Sequence, residues 1–175
     1  MKPYLGAVER FENQFVRPKE GRTLIVGSKI YNQKPDRRLR YQDAIGVDMQ
    51  EGDGVDVVLD LEKRLPASLG KFQHIECCSV LEHSMKPWLL AANLERLLVP
   101  QGTIFVEAPF MWRVHSYPDD YFRFTISGVK SLFQKINWLH AMYASSELSD
   151  KAPSTKIEGH PYFARCEVVA FGVKG

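Results

Sequence analysis

Ala44-Ile45-Gly46-Val47-Asp48 and, six residues further on, Val55-Asp56-Val57-Val58-Leu59-Asp60 are two short, largely aliphatic runs that each end in an aspartate. Runs of this length are too short for a helix and favour buried β-strands. A third run, Thr23–Val26, precedes them and is stopped by Gly27. Polar segments containing glycine or proline separate the three runs, so the sequence predicts neighbouring strands of one sheet.

Further elements alternate between strand and helix along the chain. Apolar residues at helical spacing from Tyr4 to Phe15 predict an N-terminal helix that ends by Pro18 and Gly21. The other predicted elements are a strand over Phe72–Val80, a helix from about Pro87 to Pro100, a strand over Thr103–Val106, a helix capped by Thr125, and strands around Trp138–Ala144 and Arg165–Val173. This order predicts an α/β fold with a parallel sheet and helices on both faces.

The length and composition fit one globular domain. The chain has 175 residues, of which 45% are hydrophobic and 25% are charged, an ordinary mixture that excludes disordered, collagen-like and coiled-coil chains. We expect a single domain over residues 1–175, with the N-terminal helix in 1–20 and the core in 21–175. No apolar run approaches the roughly 20 residues of a membrane span, and Glu9 and Arg10 interrupt any signal-type segment. We therefore expect a soluble, cytoplasmic protein.

Charge is distributed unevenly although the formal net charge is only +2. Basic residues dominate between Arg17 and Arg40, whereas residues 41–62 contain acidic residues and no Lys or Arg. Two interpretations remain open: loops of opposite sign that attract each other, or a nucleic-acid contact. The second lacks any interleaving of aromatic and basic residues, and we expect neither a nucleic-acid nor a membrane partner.

The cysteines indicate a reduced protein. Cys77 and Cys78 are adjacent in a predicted strand, Cys166 stands alone, and no CxxC motif occurs. This pattern supports neither a disulfide framework nor a zinc site. We predict that they are core residues, with Cys77 and Cys78 buried on opposite faces of the sheet, and we expect no metal site.

The aspartates that follow the second and third strands are candidate ligand-binding residues. Ligands of open parallel sheets bind at the carboxyl ends of the strands. Asp48 lies 21 positions after Gly27, a spacing typical of a carboxylate that binds ribose hydroxyls. Asp60 occupies the same place on the third strand, where it could accept a hydrogen bond from an adenine amine. The alternative is that both are solvated strand-end aspartates.

Two later segments combine polar residues with positions near strand ends. Glu82 and His83 follow the fourth predicted strand, where they could form a general base or substrate-orienting pair, or a simple helix entry. The loop 115–123 is dense in polar and aromatic residues, which is typical of lids and binding loops. The alternative for this loop is an Asp120–Arg123 pair that only orders it.

Taken together, these residues resemble the class I S-adenosylmethionine-dependent methyltransferases, in particular small single-domain members with the methyltransferase type 11 pattern. The resemblance covers about residues 23–133. It rests on Gly46–Asp48, Val57–Asp60, Ser79–His83, Leu97–Gly102 and the His115–Thr125 loop. It implies a Rossmann-like sheet of seven strands, mostly parallel, with an antiparallel last strand beside the fifth.

The resemblance also implies a cofactor, S-adenosylmethionine, and roles for particular residues. The implied cofactor-binding residues are Gly27, Ser28, Asp48, Met49, Asp60, Leu61, Ser79 and Val80. The implied substrate-binding residues are His83, Asp120, Tyr121 and Arg123. We select His115 as a catalytic base because an unperturbed imidazole titrates near neutral pH. The predicted reaction is in-line methyl transfer to a small-molecule or saccharide acceptor.

The first turn departs from the family pattern. Ile25 replaces the usual acidic residue, and Gly27-Ser28-Lys29-Ile30-Tyr31 replaces a glycine-rich turn. A catalytically degenerate binding or scaffold protein is therefore an alternative. A dinucleotide oxidoreductase is disfavoured because no GxGxxG follows the first strand. Nucleic-acid modification is disfavoured because Ser79–Glu82 stands where many such amino methyltransferases carry an Asn/Asp-Pro-Pro-Tyr motif.

Overall fold

The computed structural model describes residues 7–16, 20–31, 35–115, 119–145 and 166–175. The helices are α1 (Ala7–Phe15), α2 (Pro87–Leu97) and α3 (Ile126–Leu132). The strands are β1 (Thr23–Val26), β2 (Ala44–Asp48), β3 (Val57–Val58), β4 (Phe72–Cys78), β5 (Leu98–Met111), β6 (Ile136–Ser145) and β7 (Cys166–Lys174). Short 3-10 turns cover Arg37–Arg40, Ala67–Leu69 and Leu81–His83.

The seven strands form one sheet in the order β3-β2-β1-β4-β5-β7-β6. Strands β1 to β5 pair in parallel, and β7 lies antiparallel between β5 and β6. The predicted seven-stranded sheet with its antiparallel last strand is confirmed. Chain order reverses between β1 and β4, so ligand binding is expected at the carboxyl ends of these two strands.

Several element boundaries differ from the sequence prediction for local reasons. Only Val57 and Val58 of the third run pair as a strand. Beside them, the Gly46 amide donates to the Asp56 carboxylate at 2.7 Å. β4 ends at Cys78 because Ser79 takes a positive φ of 54°. The predicted N-terminal helix is seen from residue 7, and Tyr4 lies outside the described residues, as does Arg165 at the start of the last predicted strand.

Helices cover both faces of the sheet, as predicted. Leu90 and Leu94 of α2 and Val129 of α3 belong to a buried cluster with Ile75 and Ile104 of the strands. Phe11 of α1 belongs to a second cluster on the other face, with Phe105 and Phe171. Thr125 caps α3, its side chain accepting a hydrogen bond from the Gly128 amide at 2.9 Å. Within the described ranges, no helix combines the length and apolar character that crossing a bilayer requires.

A buried ionic cluster accompanies α1 on the second face. The Arg37 guanidinium lies 2.9 Å from Glu12 of α1, 3.0 Å from Glu76 of β4 and 3.5 Å from Glu107 of β5. The three carboxylates have side chains that are only 1–10% exposed. Arg40 adds a 3.0 Å contact to Glu12. One arginine therefore links a helix, a 3-10 turn and two strands.

The sequence predicted that the basic segment 17–40 attracts the acidic segment 41–62. Among the ion pairs of the described residues, one joins the two segments. Arg38 contacts Asp56 at 2.6 Å, across the predicted boundary between the two segments. Arg37 and Arg40 instead pair with glutamates that lie outside residues 41–62. Their partners are brought together by the sheet and by α1, which a local charge pattern does not reveal.

The cysteine prediction holds fully for one residue. Cys77 is completely buried, and burial raises the pKa of its thiol well above the usual range. Cys78 and Cys166 are only half-buried, so the expectation that all three are core residues is wrong. Cys78 is the last residue of β4, and Cys166 is the first residue of β7, so both lie at strand ends.

We predict that Arg37→Met lowers the free energy of unfolding by about 3 kcal/mol, because it leaves three buried carboxylates without their shared cation. The measurement is equilibrium denaturation at pH 7. Arg38→Met, in the same 3-10 turn, is the matched control and should cost about 1 kcal/mol or less, since Asp56 is more accessible to water. Equal losses in the two variants would contradict a special role for Arg37.

Candidate functional site

The turn after β1 requires glycine at its first position. Gly27 has a φ of +66°, and a Cβ built there would lie 2.5 Å from Cγ2 of Val80. Val80 follows β4, the strand beside β1. Ser79, just before it, is exposed with its amide bonded to the Glu107 carbonyl at 3.0 Å. Gly27, Ser79 and Val80, three of the predicted cofactor-binding residues, therefore meet at the expected edge of the sheet.

Side chains replace the missing glycines of this turn, and they pack onto the neighbouring loop. Ser28 is 9% exposed, and its Oγ lies 2.6 Å from the place where a Cβ on Gly46 would stand. A Cβ on Gly54 would lie 2.8 Å from Ile30, and one on Gly52 would lie 2.7 Å from Lys29. The glycines that make room are thus Gly46 in β2 and Gly52 and Gly54 in the loop that follows it. The Ser28 side chain is enclosed, and its amide donates to the Val47 carbonyl at 3.2 Å.

Asp48 ends β2 beside this turn. Its two carboxylate oxygens accept hydrogen bonds from the amides of Lys29 at 3.2 Å and Gln50 at 3.0 Å. The Lys29 ammonium donates to the Gln50 side chain at 3.0 Å. Each carboxylate oxygen can accept a second hydrogen bond, and Asp48 remains partly exposed. Its neighbour Met49 is 53% exposed, so both predicted contacts are accessible.

Asp60 and Leu61 differ in accessibility. The Asp60 carboxylate accepts a hydrogen bond from the Glu62 amide at 2.9 Å and lies 3.2 Å from Nζ of Lys63, with its side chain 29% exposed. Leu61 is a core residue, 5% exposed, and its carbonyl accepts a hydrogen bond from Asn93 at 2.8 Å. Only Asp60 of this pair offers an accessible side chain.

A second group of polar residues, the His83–His115 cluster, comprises Glu82, His83, His115, Asp120 and Arg123. The two imidazole rings lie edge to face with centroids 4.9 Å apart. Nε2 of His83 is 3.7 Å from Oε1 of Glu82. The Glu82 carbonyl accepts a hydrogen bond from the Tyr121 amide at 2.8 Å, so the turn after β4 and the loop after β5 are joined. The structure thus brings together the predicted substrate-binding residues and His115.

Asp120 and Arg123 form the pair that the sequence indicates. Arg123 donates two hydrogen bonds to the Asp120 carboxylate, one of them at 2.7 Å from Nη2. Asp120 also accepts a hydrogen bond from the His115 amide at 2.8 Å, and Arg123 donates to the Arg113 carbonyl at 2.9 Å. These bonds connect the two arms of the loop. The Arg123 hydrogen bonds lower the pKa of Asp120 to about 2.

Glu82 and His115 have opposite pKa shifts with a common cause. Glu82 is 1% exposed, and burial raises the pKa of its carboxyl to about 8. Burial lowers the pKa of His115, so its ring is neutral at pH 7. Sequence analysis finds both residues from their place after a strand, but the burial of Glu82 has no local signal.

Tyr121 is 43% exposed, and residues 116–118 of the loop, with Tyr117, lie outside the described residues.

We predict that Gly27→Ala costs about 1–3 kcal/mol of stability, because alanine is strained at this positive φ and its methyl group meets Val80. Gly128→Ala in α3 is the matched control and should be neutral or slightly stabilising, since alanine favours helix. Thermal unfolding of both variants measures the difference. A loss no larger in Gly27→Ala than in Gly128→Ala would show that the turn tolerates a side chain.

We predict that Asp120→Asn lowers stability by about 1–2 kcal/mol at pH 7, an amount reduced from the full pKa shift because Arg123 is partly solvated. The folded pKa of about 2 lies below the usual value of 3.8. The stabilisation is therefore complete above about pH 4 and is lost as the pH falls towards 2. Denaturant titrations of wild type and variant should converge over that window. Asp119→Asn, an exposed neighbour, is the control and should show no such window.

Comparison with known proteins identifies the fold. No protein-family model and no curated protein matches the sequence. Solved structures do match. The 1,6-didemethyltoxoflavin-N1-methyltransferase of Burkholderia thailandensis is 13% identical, with 96% of this chain and 76% of that chain covered and a TM-score of 0.67.

Two further structures show the same architecture. The N-methyltransferase NodS of Bradyrhizobium japonicum WM9, in complex with S-adenosyl-L-homocysteine, is 9% identical over 88% of this chain and 78% of that chain, with a TM-score of 0.59. The N-terminal domain of EvdMO1, solved in the presence of S-adenosylhomocysteine and D-fucose, is 16% identical over 99% and 85%, with a TM-score of 0.58. This chain has the fold of the class I S-adenosylmethionine-dependent methyltransferases.

Proposed function

We propose that this protein is an S-adenosylmethionine-dependent methyltransferase that acts on a small-molecule or saccharide acceptor by in-line methyl transfer. The observation that carries the proposal is the accessible Asp48 carboxylate, held by two backbone amides beside the Gly27 turn at the chain reversal of the sheet. The methyltransferase fold and the similar proteins solved with S-adenosylhomocysteine support it.

The residues at the edge of the sheet fit this cofactor. Asp48 would accept hydrogen bonds from the ribose hydroxyls, and Asp60 would accept one from the adenine amine. Gly27 provides a surface that a side chain would fill, next to Ser79 and Val80, and Met49 is exposed beside Asp48. Because the Ser28 side chain is enclosed, Lys29 is the better partner for the cofactor carboxylate, its ammonium giving up the bond to Gln50. Leu61 is buried in the core and would fix the position of Asp60 without contacting the cofactor through its side chain.

The His83–His115 cluster would form the acceptor side. Bound S-adenosylmethionine would supply a methyl group made electrophilic by its sulfonium. His115 is neutral at pH 7 and would take a proton from the acceptor at Nε2, while Asp120 near Nδ1 orients the ring. His83, Tyr121 and Arg123 would orient polar groups of the acceptor. The chain's main contribution is alignment, which at ideal geometry lowers the barrier by up to about 7–11 kcal/mol.

The acceptor class follows from the character of this cluster. Imidazole, carboxylate and guanidinium groups with an exposed tyrosine hydrogen-bond well to hydroxyl-rich molecules, and EvdMO1 was solved in the presence of D-fucose. We propose that the chain works as one domain in the cytoplasm, without nucleic-acid or membrane partners.

We predict that S-adenosylhomocysteine at 100 times its dissociation constant stabilises the protein by about 2.7 kcal/mol, seen as a rise in melting temperature. Asp48→Ala should remove most of that rise and leave the unliganded protein near its original stability. Asp43→Ala is the matched control, since Asp43 precedes the same strand at its opposite end and is exposed.

The outcomes separate the two hypotheses left open by the sequence. A rise that Asp48→Ala abolishes and Asp43→Ala retains supports the methyltransferase. No rise in the wild-type protein would overturn cofactor binding and favour the degenerate scaffold. A rise that persists in Asp48→Ala would place the ribose elsewhere.

A further inference from the structure

Three side chains of the His83–His115 cluster have the spacing of metal ligands. Glu82, His83 and His115 each offer one ligand atom, and these atoms all lie within 4.8 Å of one another. Oε1 of Glu82 and Nε2 of His83 are 3.7 Å apart. Ligands in a tetrahedral zinc site, with bonds of about 2.0–2.1 Å, stand about 3.3 Å apart. The Glu82–His83 spacing is therefore within a few tenths of an ångström of that needed.

The hydrogen bonds of His83 prepare its ring for coordination. Nδ1 of His83 lies 2.6 Å from the Asp119 carbonyl oxygen. A carbonyl only accepts hydrogen bonds, so Nδ1 carries the proton and Nε2 keeps its lone pair. Metal-bound histidines show this arrangement, with the second ring nitrogen bonded to a carbonyl or carboxylate.

His115 has the same arrangement with different partners. Its Nδ1 lies 3.2 Å from Oδ2 of Asp120 and 3.3 Å from the Arg113 carbonyl. Both partners are acceptors, so the proton again belongs on Nδ1 and Nε2 has a lone pair. Arg123 fixes Asp120, and the carboxylate in turn orients the imidazole. On both histidines, Nδ1 therefore faces an oxygen acceptor, and Nε2 is the nitrogen left to bind a cation.

Glu82 would supply the negative charge that a dication requires, because the bound ion would displace the carboxyl proton. It is 1% exposed, and its Oε2 has no hydrogen-bond partner among the described residues. A buried carboxyl oxygen without a partner is costly. A cation bound by Glu82 would remove that cost.

A second group of side chains also has the spacing of metal ligands, but a cation of the protein already occupies it. Glu12, Cys78 and Glu107 also place ligand atoms within 4.8 Å of one another. There, however, the Arg37 guanidinium already lies 2.9 Å from Glu12 and 3.5 Å from Glu107. Arg37 therefore already neutralises the carboxylates on the α1 face. By contrast, none of the described arginines or lysines is ion-paired with Glu82 at 4.0 Å or less.

We propose that Glu82, His83 and His115 bind one divalent ion of the Zn²⁺ type, with a coordination position left open. One carboxylate and two imidazoles are a frequent ligand set of catalytic zinc sites. The side chains of His83 and His115 are 17% and 33% exposed, which gives an ion a path from solvent.

This site goes beyond the proposed methyl transfer and changes the role of one residue. With the ion bound, Nε2 of His115 is a ligand and does not act as a base. An acceptor hydroxyl in the open position would then release its proton to solvent water because the ion lowers its pKa, and its oxygen would take the methyl group as the cofactor sulfur leaves as a thioether. Nothing in the proposed binding of the cofactor at Asp48 depends on the ion.

The test uses Co²⁺ as a spectroscopic substitute for Zn²⁺. The full-length protein is treated with a chelator, exchanged into metal-free buffer and titrated with Co²⁺ while its visible absorption is followed. We expect saturation at one equivalent, intense bands of a four-coordinate site, and displacement by one equivalent of Zn²⁺. Glu82→Gln and His115→Ala should each weaken binding by more than tenfold. His140→Gln, which changes an exposed histidine outside the cluster, is the control and should bind like wild type.

Each other result overturns the site. The site is overturned if the Co²⁺ absorption does not saturate or if it shows only the weak bands of six-coordinate Co²⁺. It is also overturned if Glu82→Gln and His115→Ala both bind Co²⁺ as the wild type does. Melting temperatures of the metal-free variants check that each is folded, and the half-exposed His115 provides a second variant if Glu82→Gln does not fold. The S-adenosylhomocysteine stabilisation, measured with chelator present, reports on the proposed function separately.

Discussion

The Arg37 guanidinium holds together the elements on which the candidate site stands. It contacts Glu12, Glu76 and Glu107, so α1, β4 and β5 are joined through one charge on a face where the turn 37–40 connects β1 to β2. Glu107 also presents its carbonyl to the Ser79 amide at the edge of the sheet. Glu107 therefore belongs both to the ionic cluster and, through its carbonyl, to the turn that follows β4. A shift of β5 would move both the cluster and the edge of the candidate cofactor site.

Glycine is required in this site, but mainly in a different loop from the one that the family pattern emphasises. The turn after β1 keeps only Gly27 and carries the side chains of Ser28, Lys29 and Ile30. Those side chains would crowd a ligand if they pointed at it, yet each packs against a glycine of β2, at 46, or of the loop after it, at 52 or 54. The two turns are thus complementary. The sequence departure is accommodated by a neighbouring loop, which leaves the accessible side of Asp48 open.

Patterns within short stretches of sequence predicted the features that depend on neighbouring residues, namely strands, helices, a helix cap and one ion pair. Short apolar runs predicted the strands, apolar residues at helical spacing predicted α2, and Thr125 predicted a cap that the structure confirms. The Asp120–Arg123 pair, three residues apart, was likewise accessible from the sequence. The ionic cluster was not, because Glu12, Arg37 and Glu107 are distant in the chain and meet only once the sheet forms. The burial of Glu82 and the partial exposure of Cys78 have the same origin, since both depend on how much chain covers the end of β4.

The two groups of buried carboxylates near β4 and β5 solve the same electrostatic problem in different ways. Removing a carboxylate from water is costly unless a positive charge or hydrogen bonds replace the water. Beneath the sheet, Arg37 supplies that charge permanently, and the result is structural linkage. At the edge of the sheet, Glu82 lies beside His83 and His115, and burial raises the pKa of its carboxyl to about 8. The Glu82 carboxylate and the two imidazoles together offer the ligand atoms that the proposed divalent ion requires.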